Sequence, residues 1–180
     1  MSGPEDEPGM PPQPEAGEPG GPPGQRRMAL TGLHHVTLIC RDLDRTTAFY
    51  RDLLGLTLVS AATNDDDPDA RHFWFGDSAA RPGTLVSFLE YPTMPQGTVG
   101  TGSTHHVAFA VESGEEQEAW RDYLRSHGVE CTDVLDREQF LSLYLRDPDG
   151  HIVEIATRGP GFEAPGPHAP PPLPPPQPDG

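Results

Sequence analysis

The chain is poor in cysteine, poor in basic residues and without a long hydrophobic run. Two thiols in 180 residues, Cys40 and Cys131, cannot build the disulfide framework that holds small secreted domains together, and neither needs a partner. Basic residues number 12 against 28 acidic ones, for a formal net charge of −16. Such a surface repels phosphate backbones and anionic membranes, so nucleic acid is excluded as the expected partner. No apolar run approaches the roughly 18 residues of a membrane span, and the acidic, proline-rich start lacks the basic-then-apolar order of a signal peptide. These absences leave a cytoplasmic protein, without membrane or nucleic-acid partners, as the expectation. A small neutral or chelating ligand is easier to accept.

Proline is abundant overall but scarce in the middle. Of 23 prolines, eight lie in residues 1–28 and ten in residues 159–180, which leaves five in the 130 residues between. Segments such as Pro11-Pro12-Gln13-Pro14 and Pro170 to Pro176 carry too few apolar side chains to offset the entropy of ordering. Residues 1–28 therefore read as a disordered Pro/Gly/acidic tail and residues 159–180 as a disordered Pro-rich tail. Residues 29–158 read as one domain, long enough to bury a core without disulfides. With the tails removed the domain keeps 21 acidic and 10 basic residues, a net of −11.

That domain repeats itself. Leu33 to Cys40 is rich in β-branched residues and reads as a strand. Asp44 to Leu54 places Ala48, Phe49, Leu53 and Leu54 at helical spacing and is ended by Gly55. Strand-like runs follow over Leu56 to Ala62, Arg71 to Gly76 and Thr84 to Tyr91, separated by the turn sequences Asn64 to Pro68 and Arg81-Pro82-Gly83. A second unit opens at Thr104, where His105-His106-Val107-Ala108-Phe109 echoes His34-His35-Val36-Thr37-Leu38 at an offset of 71 residues. Its helix starts at the capping box from Ser113 to Glu116, ends at Gly128 and turns Trp120, Tyr123 and Leu124 to the core. Strands are expected over Thr132 to Asp136, Phe140 to Arg146 and His151 to Thr157, the last two joined by the tight turn Asp147-Pro148-Asp149-Gly150. The expected fold class is α+β: two tandem βαβββ modules, about residues 32–92 and 103–158, forming a curved mixed sheet around a cup.

Strand alternation separates two faces. Val107, Phe109, Val111, Val153 and Ile155 fall on the face that packs under the helix. The other face carries His106, Ala108 and Ala110, then Ser142, Tyr144 and Arg146, then Glu154 and Ala156; in the first unit it carries His35, Thr37 and Ser87. Two histidines in repeated positions and one face-matched carboxylate, His35, His106 and Glu154, form the ligand set of a divalent metal with open coordination positions. The remaining histidines, His72, His127, His151 and His168, read as ordinary strand, helix-end, turn and tail residues.

These residues resemble the vicinal oxygen chelate superfamily, which includes glyoxalase I, bleomycin-binding proteins, fosfomycin-resistance enzymes and extradiol dioxygenases. The resemblance spans residues 32–158. Gly32-Leu33-His34-His35-Val36-Thr37, the Asn64 to Pro68 turn, Arg81 to Thr84, Thr104 to Phe109 and Tyr144 to Ile155 are similar to the hydroquinone ring-cleaving dioxygenase branch. The resemblance implies that His35, His106 and Glu154 bind Fe(II), with Mn(II) or another divalent metal as alternatives. It further implies catalytic roles for His105, Tyr144 and Arg137, and substrate contacts for His34 and Thr37. Alternation puts His34 and His105 on the helix-side face, so a direct substrate role for them needs a twist at the strand end.

Two departures from that branch bear on function. Its members usually carry four modules, with ligands in the first and third, whereas here the ligand-bearing patterns are adjacent; a homodimer can supply the rest, each cup lying in one chain or shared by module exchange. Ser87 stands where metal isomerases of the glyoxalase type place a further carboxylate, and Glu90 is out of phase with that face, which favours three ligands over four. The expected function is therefore metal-dependent ring cleavage of a small hydroquinone- or catechol-type aromatic with O₂. The alternatives are a glyoxalase- or fosfomycin-resistance-type isomerase or transferase, and a metal-free, bleomycin-like binding protein.

Overall fold

Alternating apolar and small residues make His35–Cys40 the first strand, β1, and each later element follows from the same two periodicities. The computed structural model describes residues 30–162. The expected tail at 1–28, and the part of the C-terminal tail beyond Phe162, lie outside the described residues. Module one continues with α1 (Leu43–Thr47), β2 (Thr57–Thr63), β3 (Arg71–Gly76) and β4 (Leu85–Glu90). Module two has β5 (His106–Val111), α2 (Gly114–Ser126), β6 (Leu135–Asp136), β7 (Leu141–Arg146) and β8 (Ile152–Thr157). The strands form two four-stranded mixed sheets, ordered β1-β4-β3-β2 and β5-β8-β7-β6, and neither closes into a barrel. In each, the first and last strands of the module pair in parallel and the other pairs are antiparallel. The two βαβββ modules are as expected. No helix among the described residues is long and apolar enough to cross a membrane.

Both helices start at side-chain caps. Asp42 accepts from the amides of Asp44 and Arg45 at 2.9 and 3.1 Å, and Ser113 accepts from that of Glu116 at 3.2 Å. Both stop at a left-handed glycine, Gly55 at φ +76° and Gly128 at φ +73°. The first helix differs from expectation, because from Ala48 to Leu53 it widens to a π-helix in which Phe49 O accepts from Leu54 N at 2.9 Å. A wider turn swings successive side chains through a smaller angle, so the neighbours Phe49 and Tyr50 are both buried. In α2, Leu124 is buried and Trp120 packs against the core as expected, whereas Tyr123 is exposed and lies against His127, ring centroids 4.2 Å apart. Gln117 takes the inward place: its amide donates to Leu141 O at 2.9 Å and Ile155 O at 2.6 Å, fastening the helix to β7 and β8. The strand expected from Thr132 shrinks to Leu135–Asp136, preceded by a single bridge from Cys131 to Leu145.

The core runs through both modules. Tyr50, Phe75, Val86 and Phe88 join Leu124, Leu143, Val153 and Ile155 in one buried cluster, and each such side chain contributes roughly 1.5–3 kcal/mol on leaving water. The Tyr50 ring stands 4.7 Å from Phe88 and 6.3 Å from Phe109 of module two. Its hydroxyl donates to Asp147 Oδ2 at 3.1 Å. Asp147, in the β7–β8 turn, is buried, and its carboxylate also accepts from the amides of Asp149 and His151, at 3.0 and 2.8 Å, and pairs with His151 Nδ1 at 3.0 Å. The hydrogen bond to Asp147 raises the His151 pKa above its ordinary value.

Tyr50→Phe should cost about 1.5–3 kcal/mol of unfolding free energy in a urea titration, the worth of a hydrogen bond to a charged group. Because the folded pKa of His151 is raised, its contribution is complete below about pH 6.5 and is lost as pH climbs through the raised value. The urea midpoint of the native chain should therefore fall over that window, and His151→Phe should flatten the fall. A fall unchanged in the variant would contradict the pairing.

Candidate metal centre

The register of the second sheet builds the site. β8 lies between β5 and β7, with Glu154 directly opposite Ala108 on one side and Tyr144 on the other. The small Ala108 leaves room for His106, two residues earlier on β5, to lean across the ladder. His106 Nε2 meets Glu154 Oε2 at 2.9 Å. Glu154 is buried, and its other oxygen accepts from the buried hydroxyl of Ser142, which in turn accepts from Tyr144 OH at 3.4 Å. A buried carboxylate held only by an imidazole and a hydroxyl is costly, and a cation there would offset that cost. His106 and Glu154 thus supply two donors of the kind a divalent metal takes.

The two histidine pairs have one geometry. His105 Nδ1 contacts His106 Nδ1 at 2.9 Å, and His34 Nδ1 contacts His35 Nδ1 at 3.1 Å. With both δ nitrogens engaged on each other, Nε2 of the second histidine is left for another partner, which is the arrangement of a metal ligand oriented by the group behind it. His34 and His105 precede β1 and β5, so strand alternation does not extend to them; each ring lies against that of the next histidine, and His105 lines the same groove as His106 rather than the helix side.

The structure brings some of the expected residues together and keeps others apart. His106, Glu154, His105, Tyr144 and Arg137 share the second module: the Tyr144 ring is 5.9 Å from His106, and the Arg137 guanidinium stands over Tyr144 at 5.7 Å from its centroid. A groove of about 700 Å³ is lined by His105, His106, Cys131, Arg137, Tyr144 and Arg146, among others. His35, His34 and Thr37 belong to the other module, although Thr37 lines a groove of about 390 Å³ together with His105 and His106. There Thr37 Oγ1 lies 2.9 Å from Ser87 Oγ, on the face expected for both, and the His35 ring lies 4.8 Å from Trp74. Among the described residues, no group of three or more His, Cys, Asp or Glu is placed to hold a metal ion. Glu90 points away from this face. It accepts from Arg71 at 2.5 and 2.7 Å and from Leu43 N at 2.8 Å, and the Arg71 contact lowers its pKa.

Two contributors carry no assigned role in the sequence reading. Ser142 was legible as a residue of the cup face, yet its bond to Glu154 depends on how far β7 and β8 are offset, which spacing alone does not give. Trp74 is one of three aromatics in Arg71 to Gly76, and its reach over β4 to His35 is a matter of side-chain direction. His72, read as an ordinary strand residue, lies 4.9 Å from the same indole, and burial lowers its pKa.

Comparisons with known proteins identify the fold and the family. The chain is 41% identical over 102 residues to the "Putative ring-cleaving dioxygenase MhqE" of Bacillus subtilis (strain 168), covering 57% of this chain and 33% of that protein. It superposes with a TM-score of 0.66 and 32% identity on the crystal structure of a "putative dioxygenase" from Bacillus subtilis subsp. subtilis str. 168, over 71% of this chain and 41% of the other. The chain thus spans less than half the length of these relatives. FosX, a fosfomycin resistance protein from Listeria monocytogenes solved with Mn(II), shares the fold at TM-score 0.53 and 24% identity, over 71% of this chain and 92% of FosX. Matched from residue 32 to residue 155, the chain belongs to the Glyoxalase/Bleomycin resistance protein/Dioxygenase superfamily.

Proposed function

We propose that this domain is a metal-dependent ring-cleaving dioxygenase acting on a hydroquinone- or catechol-type aromatic, with His35, His106 and Glu154 holding Fe(II), or alternatively Mn(II) or another divalent metal. The observation that carries the reading is the contact of His106 Nε2 with the buried Glu154, backed by His105 and repeated in outline at His34 and His35. His35 stands on the first sheet and the other two ligands on the second, so the site is completed by a second copy of the chain. Two halves then exchange: His35 of each protomer joins His106 and Glu154 of its partner. In support, the cup faces are open in the single chain, with Thr37 and Ile39 on β1 and Ala108 and Ala110 on β5 exposed.

When bound, the metal would hold the substrate oxygen beside O₂ and let electron density pass from the ring. The chain's own residues do the rest. Tyr144 OH, within reach of Ser142 and close to His106, handles the substrate's hydroxyl proton, and His105 keeps the His106 ring oriented. Arg137, which makes no salt bridge among the described residues, places positive charge where negative charge develops on the substrate. The match to FosX over nearly all of that chain favours a metal isomerase or transferase as the second reading. Ser87 counts against it, since it occupies in module one the register position that Glu154 holds in module two.

Glu154→Gln should abolish oxygen uptake with a hydroquinone panel, while retention of uptake would remove Glu154 from the site. Co-expressing His35→Ala and Glu154→Gln chains, each inactive alone, should restore about a quarter of native activity, because half the dimers are mixed and each mixed dimer keeps one intact site. No restoration would place the whole site within one chain.

A further inference from the structure

The internal repeat sets two residues of module one against two of module two. Thr37 and Ser87 face each other as Ala108 and Glu154 do, and Trp74 lies opposite Ser87 as Tyr144 lies opposite Glu154. Trp74 is therefore the counterpart of Tyr144, and each touches the second histidine of its module, at 4.8 Å and 5.9 Å between ring centroids. Two residues earlier on each strand stand His72 and Ser142. Ser142 spends its hydroxyl on Glu154. Module one has only the short Ser87 at that place, already engaged with Thr37, and Nε2 of His72 is buried with no hydrogen-bond partner among the described residues.

A covered ring nitrogen without a partner is destabilising, and such a group in a native structure calls for a reason. The surroundings suggest one. On the same face, Ile39, Leu85 and Leu89 are apolar by the strand register, and none of the facing positions is Lys or Arg. The wall thus offers an indole, aliphatic side chains and one spare imidazole nitrogen. That chemistry suits a neutral planar ring with a hydroxyl group and is poorly matched to a phosphonate or a polyanion.

We infer that Trp74 and His72 form the ring-recognition wall of the cup: Trp74 takes the face of a hydroxylated aromatic beside His35, and His72 hydrogen-bonds a hydroxyl on that ring. His72 is only half-buried, so a turn about its side-chain bonds brings the nitrogen to the cup. This rests on the ring-cleavage reading and adds to it the residues that choose the substrate. It leaves to Tyr144 and Arg137 the side on which charge develops.

The test is anaerobic calorimetric titration of the full chain, as purified, with hydroquinone and with 1,4-dimethoxybenzene, which has the same ring but no hydroxyl donor. Trp74→Leu should weaken both ligands about tenfold or more. His72→Phe should weaken hydroquinone about tenfold and leave dimethoxybenzene within about twofold, the difference of one hydrogen bond. His72→Phe should also melt no lower than the native chain, since it removes an unpartnered nitrogen; this keeps the test decisive if Trp74→Leu folds poorly. Equal effects of His72→Phe on the two ligands, affinities unchanged in the variants, or no binding of hydroquinone to the native chain would overturn the inference. Ring binding that depends on Trp74 and His72 in a protein without oxygen uptake would overturn only the dioxygenase reading.

Discussion

The buried carboxylate of Asp147 is the constraint from which the rest of the domain is positioned. A charge taken out of water must be compensated by hydrogen bonds, and Asp147 receives them from its own turn, from His151 and from Tyr50 of the other module. The first two close the β7–β8 hairpin, and the hairpin sets the register that puts Tyr144 opposite Glu154. The third ties the π-helical segment of module one to the base of module two. One residue in a tight turn thereby couples the geometry of the His106–Glu154 pair to the packing of the core.

The duplicated module explains how a small domain makes an asymmetric site. Both copies keep the histidine pair and the parallel pairing of first and last strands. The facing positions at which they differ include Glu154 against Ser87, Tyr144 against Trp74, and Ser142 against His72. The second copy carries the charge, the phenol and the nearby guanidinium. The first carries one imidazole and an apolar aromatic wall. A ligand of the proposed kind, held between such halves, would meet a polar side and an apolar side.

Much of this was legible in the sequence, because it rests on local periodicity. The offset of 71 residues, the alternation around His35 and His106, the capping box at Ser113 and the turn at Asp147 each depend on a few consecutive residues. The parts that were not legible depend on longer-range geometry. The π-helical widening at Ala48–Leu53 arises because Phe49 and Tyr50 both gain by burial, an outcome that helical spacing alone does not anticipate. Gln117 is buried with its amide on two strand carbonyls while Tyr123 is exposed, an arrangement that apolar spacing does not give. The apartness of His35 from Glu154 follows from how two modules pack, and residue spacing within a module says nothing of that.

The most direct test of the metal centre is the metal content of the full chain after anaerobic purification. About one divalent ion per chain is expected, with iron the principal metal, as three protein ligands per site require. A chain that carries no divalent metal, or that carries as much with Glu154 replaced by Gln, would contradict the site.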